Sequence, residues 1–176
     1  MRVKFDEYNY GHRIVSLALD EVTKNDLCKS NVGLLYVQKD FIKIYPEDIV
    51  ISENKNVISK LRTNYNYDIF ELLDNGMAIS IYKNNSLDNS FFITGKCNSN
   101  CLMCPSPEDS RRYGINTPVS NLIEIARHIP INVKHLTITG GEPFMIGKGI
   151  FEFFRYLKYK FTHTEFLLLT NGRIFL

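Results

Sequence analysis

The stretch Phe91-Phe92-Ile93-Thr94-Gly95-Lys96-Cys97-Asn98-Ser99-Asn100-Cys101-Leu102-Met103-Cys104-Pro105 sets three thiols directly behind a short apolar run. The run reads as a strand, which makes the cysteines part of the loop at its carboxyl end. Spacings of four and three residues let three thiols converge on one metal centre, but they leave a four-ligand site incomplete. A closed structural zinc site takes four protein ligands, and the nearest later histidine, His128, falls inside what reads as a helix. An iron-sulfur cluster also usually takes four thiolates, so three leave one iron with a position open to a substrate or cofactor.

Downstream of these cysteines the chain alternates short apolar strands with amphipathic helices, the sign of a parallel α/β sheet. Pro105, Pro107 and Gly114 predict an irregular segment up to Pro118, which suits the first turn of a helix. In that helix Val119, Leu122, Ile123, Ala126 and Ile129 form one apolar face, and Pro130 closes it. A second strand, His135 to Thr139, runs straight into Gly140-Gly141-Glu142-Pro143. A second helix from about Gly149 carries Ile150, Phe153, Phe154, Leu157 and Phe161 on one face. The third strand, Glu165 to Leu169, ends in Thr170-Asn171-Gly172. Each strand thus delivers a polar or ligand-bearing motif at its carboxyl end, the edge where α/β sheets and barrels build their sites.

The amino-terminal half reads differently. Residues 1–88 carry short β-type runs at Ile14 to Leu19, Val32 to Val37, Phe41 to Tyr45, Ile49 to Ile51 and Ala78 to Tyr82, the last introduced by Asp74-Asn75-Gly76. Val57 to Leu61 fits a short helix, and Ile69 to Leu73 fits either state. This predicts a small β-rich domain over 1–88 without a chemical motif. The polar stretch Asn84 to Ser90 marks the boundary, and a second domain spans 91–176.

Composition bounds the function. The chain of 176 residues is 44% hydrophobic and 23% charged, which suits a folded protein with one good core or two small ones. A net charge of +2 without clustered basic residues gives no footprint for nucleic acid. The charged amino terminus and the absence of a long apolar run predict a cytoplasmic chain with no membrane partner. Three clustered cysteines in such a chain argue for metal rather than disulfides, while Cys28 stands alone as an ordinary thiol.

The cysteine spacing resembles, residue for residue, that of the radical S-adenosylmethionine (SAM) enzymes. That resemblance implies a 4Fe-4S cluster on Cys97, Cys101 and Cys104, whose unique iron chelates the amino and carboxylate groups of SAM. Reductive cleavage then gives methionine and a 5'-deoxyadenosyl radical. Gly140-Gly141-Glu142-Pro143 resembles the family element that receives the methionyl amino group of SAM. Two glycines let the backbone come close to a ligand, and a carboxylate accepts from an ammonium. Asn171 falls at the third-strand end, where polar groups lie near the cofactor. Met103 stands where many relatives carry an aromatic residue packed toward the adenine. Lys96, Arg111 and Arg112 read as solvated loop charges. No general acid or base can be named.

A narrower resemblance, carried by Asn98 to Pro105 and by Leu169 to Phe175, is to the His-Xaa-Ser system radical SAM maturases. It implies a small precursor peptide as substrate, an electron donor such as flavodoxin or ferredoxin, and a partner maturase. The family barrel has six β/α units, so the expected fold is its first three, preceded by the small β-rich domain. Such a chain is a fragment, a truncated product or one part of a split enzyme, inactive alone. The alternatives are a non-catalytic zinc-binding interaction module, with His135, His163 or Cys28 as fourth ligand, and an inactive maturase remnant.

Overall fold

The computed structural model describes residues 1–6 and 8–173, so Ile174 and Phe175 of the third-strand phrase lie outside the described residues. Contacts divide the chain into two compact units, Met1–Ser86 with Arg127–Pro130, and Leu87–Ala126 with the segment from Ile131 onward.

The first unit is built on a seven-stranded sheet. Its strands are β1 (Arg2–Lys4), β2 (Arg13–Ala18), β3 (Leu34–Val37), β4 (Ile42–Tyr45), β5 (Ile49–Ser52), β6 (Ile69–Leu72) and β7 (Met77–Tyr82), in the order β1-β7-β6-β2-β3-β4-β5. Helices α1 (Glu21–Lys29) and α2 (Lys55–Leu61) accompany it. Among the described residues the unit thus holds seven strands and two helices, one of them over the Val57 to Leu61 stretch. α1 links β2 to β3, which pair in parallel, whereas the other neighbours run antiparallel.

Alternation along β3 explains why it reads as an unbroken apolar run. Leu35 and Val37 join one cluster with Val57, Ile58 and Leu61 of α2, whereas Leu34 and Tyr36 join another with Leu27 of α1. Each face of the strand is covered, so both sets of side chains are apolar. Asp20 caps α1 by accepting from the Thr23 N–H at 2.8 Å, and Asn54 caps α2 in the same way. The fully buried Asp68 accepts from the Lys83 ammonium at 3.1 Å, and from the backbone N–H groups of Asn84 at 2.7 Å and Tyr65 at 3.2 Å.

The second unit holds β8 (Ser90–Phe92), α3 (Glu108–Tyr113), all but the last two residues of α4 (Val119–His128), β9 (His135–Thr139), a 3-10 turn (Pro143–Ile146), α5 (Gly149–Lys160) and β10 (Glu165–Leu168). The three strands pair in parallel in the order β10-β9-β8. Leu122 and Ala126 of α4, and Ile150, Phe153 and Leu157 of α5, are buried as their spacing predicts. Phe91 of β8 meets Phe153 edge-to-face at 4.9 Å. The segment expected to stay irregular up to Pro118 instead contains α3. Pro107 precedes its first turn, Glu108 and Asp109 lie in that turn, Arg111 and Arg112 lie in the last, and Gly114 ends it. No residue of α3 is buried, so its sequence carries no apolar stripe to announce it. β10 pairs only with β9 among the described residues, and Phe166 and Leu167 stay exposed along it, as does Leu169 just beyond it.

Candidate metal and cofactor site

Parallel pairing in the register Phe92↔Thr139 and Leu168↔Ile138 brings the carboxyl ends of all three strands to one edge. The ladder continues past the strands into the loops. The Ile93 N–H donates to the Thr139 carbonyl at 2.8 Å, Gly141 N–H to Thr94 at 2.7 Å, and Glu142 N–H to Lys96 at 2.7 Å. The residues that open the cysteine loop are thus stitched to the two-glycine turn by main-chain bonds.

That stitching demands glycine. A Cβ on Gly141 would lie 2.1 Å from the Lys96 carbonyl oxygen, and one on Gly140 would lie 2.6 Å from that of Thr94. Gly140 also holds φ at 151°, which side-chain-bearing residues rarely adopt. Pro143 opens the 3-10 turn that follows and is buried with Phe144.

Glu142 is not a surface glutamate but is 1% exposed. Its Oε1 accepts from the Phe144 N–H at 3.2 Å, its Oε2 accepts from the Asn171 N–H at 2.8 Å, and the Thr170 hydroxyl donates across both at 2.8 and 3.0 Å. A buried carboxylate needs such donors, and here the chain supplies them. Glu142 therefore ties the end of β9 to the end of β10.

Asn171 completes a ring. Its Nδ2 donates to Asn98 Oδ1 at 2.8 Å and Ser99 Oγ at 3.1 Å, with Cys97 Sγ 3.7 Å away. Arg173 adds its Nη1, donating to the Asn98 carbonyl at 3.0 Å. The first strand's loop, the glycine turn and the third strand's end therefore hold one another. Sequence reasoning missed Asn98, Ser99 and Arg173 as parts of this ring. The one available signal was that adjacent parallel strands must bring their following loops together.

The cysteines are accessible, Cys101 exposed and Cys97 and Cys104 half-buried. The Ser106 backbone N–H beside the Cys104 sulfur holds its thiol below the usual value, with the Arg111 guanidinium adding to the effect. Arg111 also donates to the Ser106 carbonyl, and its buried Nε has no partner among the described residues. Arg112 instead pairs with Glu108 at 2.6 Å on the surface. Met103 is 92% exposed and Leu102 wholly so.

The expected convergence of the three thiols is not seen: among the described residues no three Cys, His, Asp or Glu side chains are grouped to hold a metal ion. The donor chemistry nevertheless fits an iron-sulfur cluster, with three reachable thiols on one loop, a cationic guanidinium beside one of them, and a glycine-lined turn alongside. No helix among the described residues is long and apolar enough to cross a membrane.

No curated protein and no solved structure matches the chain. The mixed α/β fold, with its parallel strands and shared carboxyl edge, is compatible with part of a radical SAM barrel. The family model of the Radical SAM superfamily matches residues 91–175, the stretch that contains all three strand-end motifs.

Proposed function

We propose that this chain is a radical SAM enzyme, or part of one, built from a separate domain over 1–88 and a catalytic unit over 91–176. The observation that carries the reading is the superfamily match over 91–175, laid on three strand ends that hydrogen-bond into one ring. Cys97, Cys101 and Cys104 would hold a 4Fe-4S cluster. Gly140, Gly141, Glu142 and Pro143 would form the wall that meets the amino end of SAM, with Met103 at the adenine. When bound and reduced, the cluster supplies the electron that splits SAM into methionine and a 5'-deoxyadenosyl radical. The chain's own part is to bind, orient and exclude water.

The substrate class we assign is a ribosomally made precursor peptide of a His-Xaa-Ser system. A flavodoxin or ferredoxin would serve as electron donor, and a partner maturase would act with the chain in the cytoplasm. Phrases around Cys101 and Asn171 that resemble those maturases support this reading.

Anaerobic incubation of the reconstituted chain with dithionite and SAM, with methionine and 5'-deoxyadenosine quantified, tests the enzyme assignment. Equimolar release of both from the chain supplied with a partner maturase, lost in Cys104→Ala, is expected. A reconstituted cluster that leaves SAM intact, with and without a supplied partner maturase, would overturn it. A His-Xaa-Ser peptide that gains no mass change in a SAM-cleaving reaction would overturn the maturase assignment alone.

A further inference from the structure

Asn171 has contacts that assign it a task other than meeting SAM. Its Oδ1 accepts from the Arg173 N–H at 3.0 Å, which requires an acceptor at that end of the amide. The NH2 end must then face the cysteine loop, where Asn98 Oδ1, Ser99 Oγ and Cys97 Sγ share its two hydrogens. Its backbone N–H is held by Glu142, so the Cα from which the side chain projects is anchored to a buried carboxylate.

We propose that Asn171 is a positioning residue for the Cys97–Ser99 turn and a hydrogen-bond donor to the Cys97 sulfur, with Glu142 bracing it from the neighbouring strand end. The inference rests on the iron-sulfur reading of the cysteines. Outer-shell donors orient ligands and tune the metal they hold. An N–H aimed at a cluster thiolate disperses sulfur charge and favours the reduced state, so it raises the reduction potential. Asn171 thus links the turn that shapes the SAM wall to the electronics of the cluster.

The test uses the full chain, reconstituted anaerobically, as wild type, Asn171→Ala and Arg173→Ala. A redox titration, iron release to a chelator, and iodoacetamide alkylation of the metal-free chain are read in parallel. Asn171→Ala should lower the midpoint potential, speed iron loss about tenfold and accelerate alkylation at Cys97, with Cys28 unchanged. Arg173→Ala, which loosens the turn but keeps the donor, should leave the potential where it is. A cluster in Asn171→Ala with wild-type potential and iron-release rate overturns the proposal while the cluster reading stands. If no variant, wild type included, takes up iron and sulfide, the cluster reading fails. The metal-free chain then decides the brace: faster Cys97 alkylation in Asn171→Ala supports it, and an unchanged rate overturns it.

Discussion

Replacing Gly141 by alanine tests whether the cysteine loop and the glycine turn are one structure. The added Cβ would sit 2.1 Å from Lys96 O, 2.6 Å from Lys96 C and 2.7 Å from Gly95 O, all backbone atoms that no rotamer change can move aside. Relief requires the two chains to part, which breaks the bonds from Gly141 N–H to Thr94 and from Glu142 N–H to Lys96, both 2.7 Å. Two such bonds contribute about 1 kcal/mol each, and overpacking adds about 1–3 kcal/mol. The local cost is then about 3–5 kcal/mol. At about 1.4 kcal/mol per tenfold, amide exchange in 93–97 and 139–142 should quicken by at least about a hundredfold. Hydrogen-exchange mass spectrometry reads this segment by segment. Val22→Ala is the control, since its side chain is 80% exposed and it lies in the first unit. Exchange at 93–97 in Gly141→Ala within twofold of wild type would refute the coupling of the two loops.

Further outcomes follow from other contacts. Glu142→Gln presents an NH2 to donors that need acceptors, so we expect a loss of about 2 kcal/mol, with faster exchange around Thr170 and Asn171 in the same mass-spectrometric experiment. Asp68→Ala removes the carboxylate that accepts from the Lys83 ammonium and from the backbone N–H groups of Tyr65 and Asn84, and should cost about 3 kcal/mol in urea unfolding of the first unit. Asp20→Ala removes the cap of α1 for about 1 kcal/mol at neutral pH. The Thr23 N–H holds the Asp20 carboxyl below its ordinary 3.8, so the cap's added stability is full above that value and fades as pH falls through the depressed one. Unfolding curves of wild type and Asp20→Ala should therefore differ at pH 7 and converge in acid.

The second unit was legible where apolar periodicity is strong. Val119, Leu122 and Ala126, and likewise Ile150, Phe153 and Leu157, recur at helical spacing along the less exposed side of an amphipathic helix, and helices stand at both places. α1 went unseen because only Thr23 and Leu27 of its nine residues are buried, so its stability lies in caps and one contact rather than in a stripe. β1, three residues long with one buried side chain, is too short to alternate visibly. In the site, the cysteine spacing and the glycine pair were readable because local chain geometry dictates them. The role of Glu142 was not, because it depends on Thr170 and Asn171 from a strand that reaches it only through sheet register.

The central claim is that Cys97, Cys101 and Cys104 together hold an iron-sulfur cluster. The measurement that tests it most directly is iron, acid-labile sulfide and zinc content, with the absorption spectrum, of the anaerobically reconstituted chain and of Cys101→Ala. About four irons and four sulfides per chain with a broad visible band, lost in the variant, is the predicted result. Stoichiometric zinc without sulfide would contradict it and leave a structural metal module.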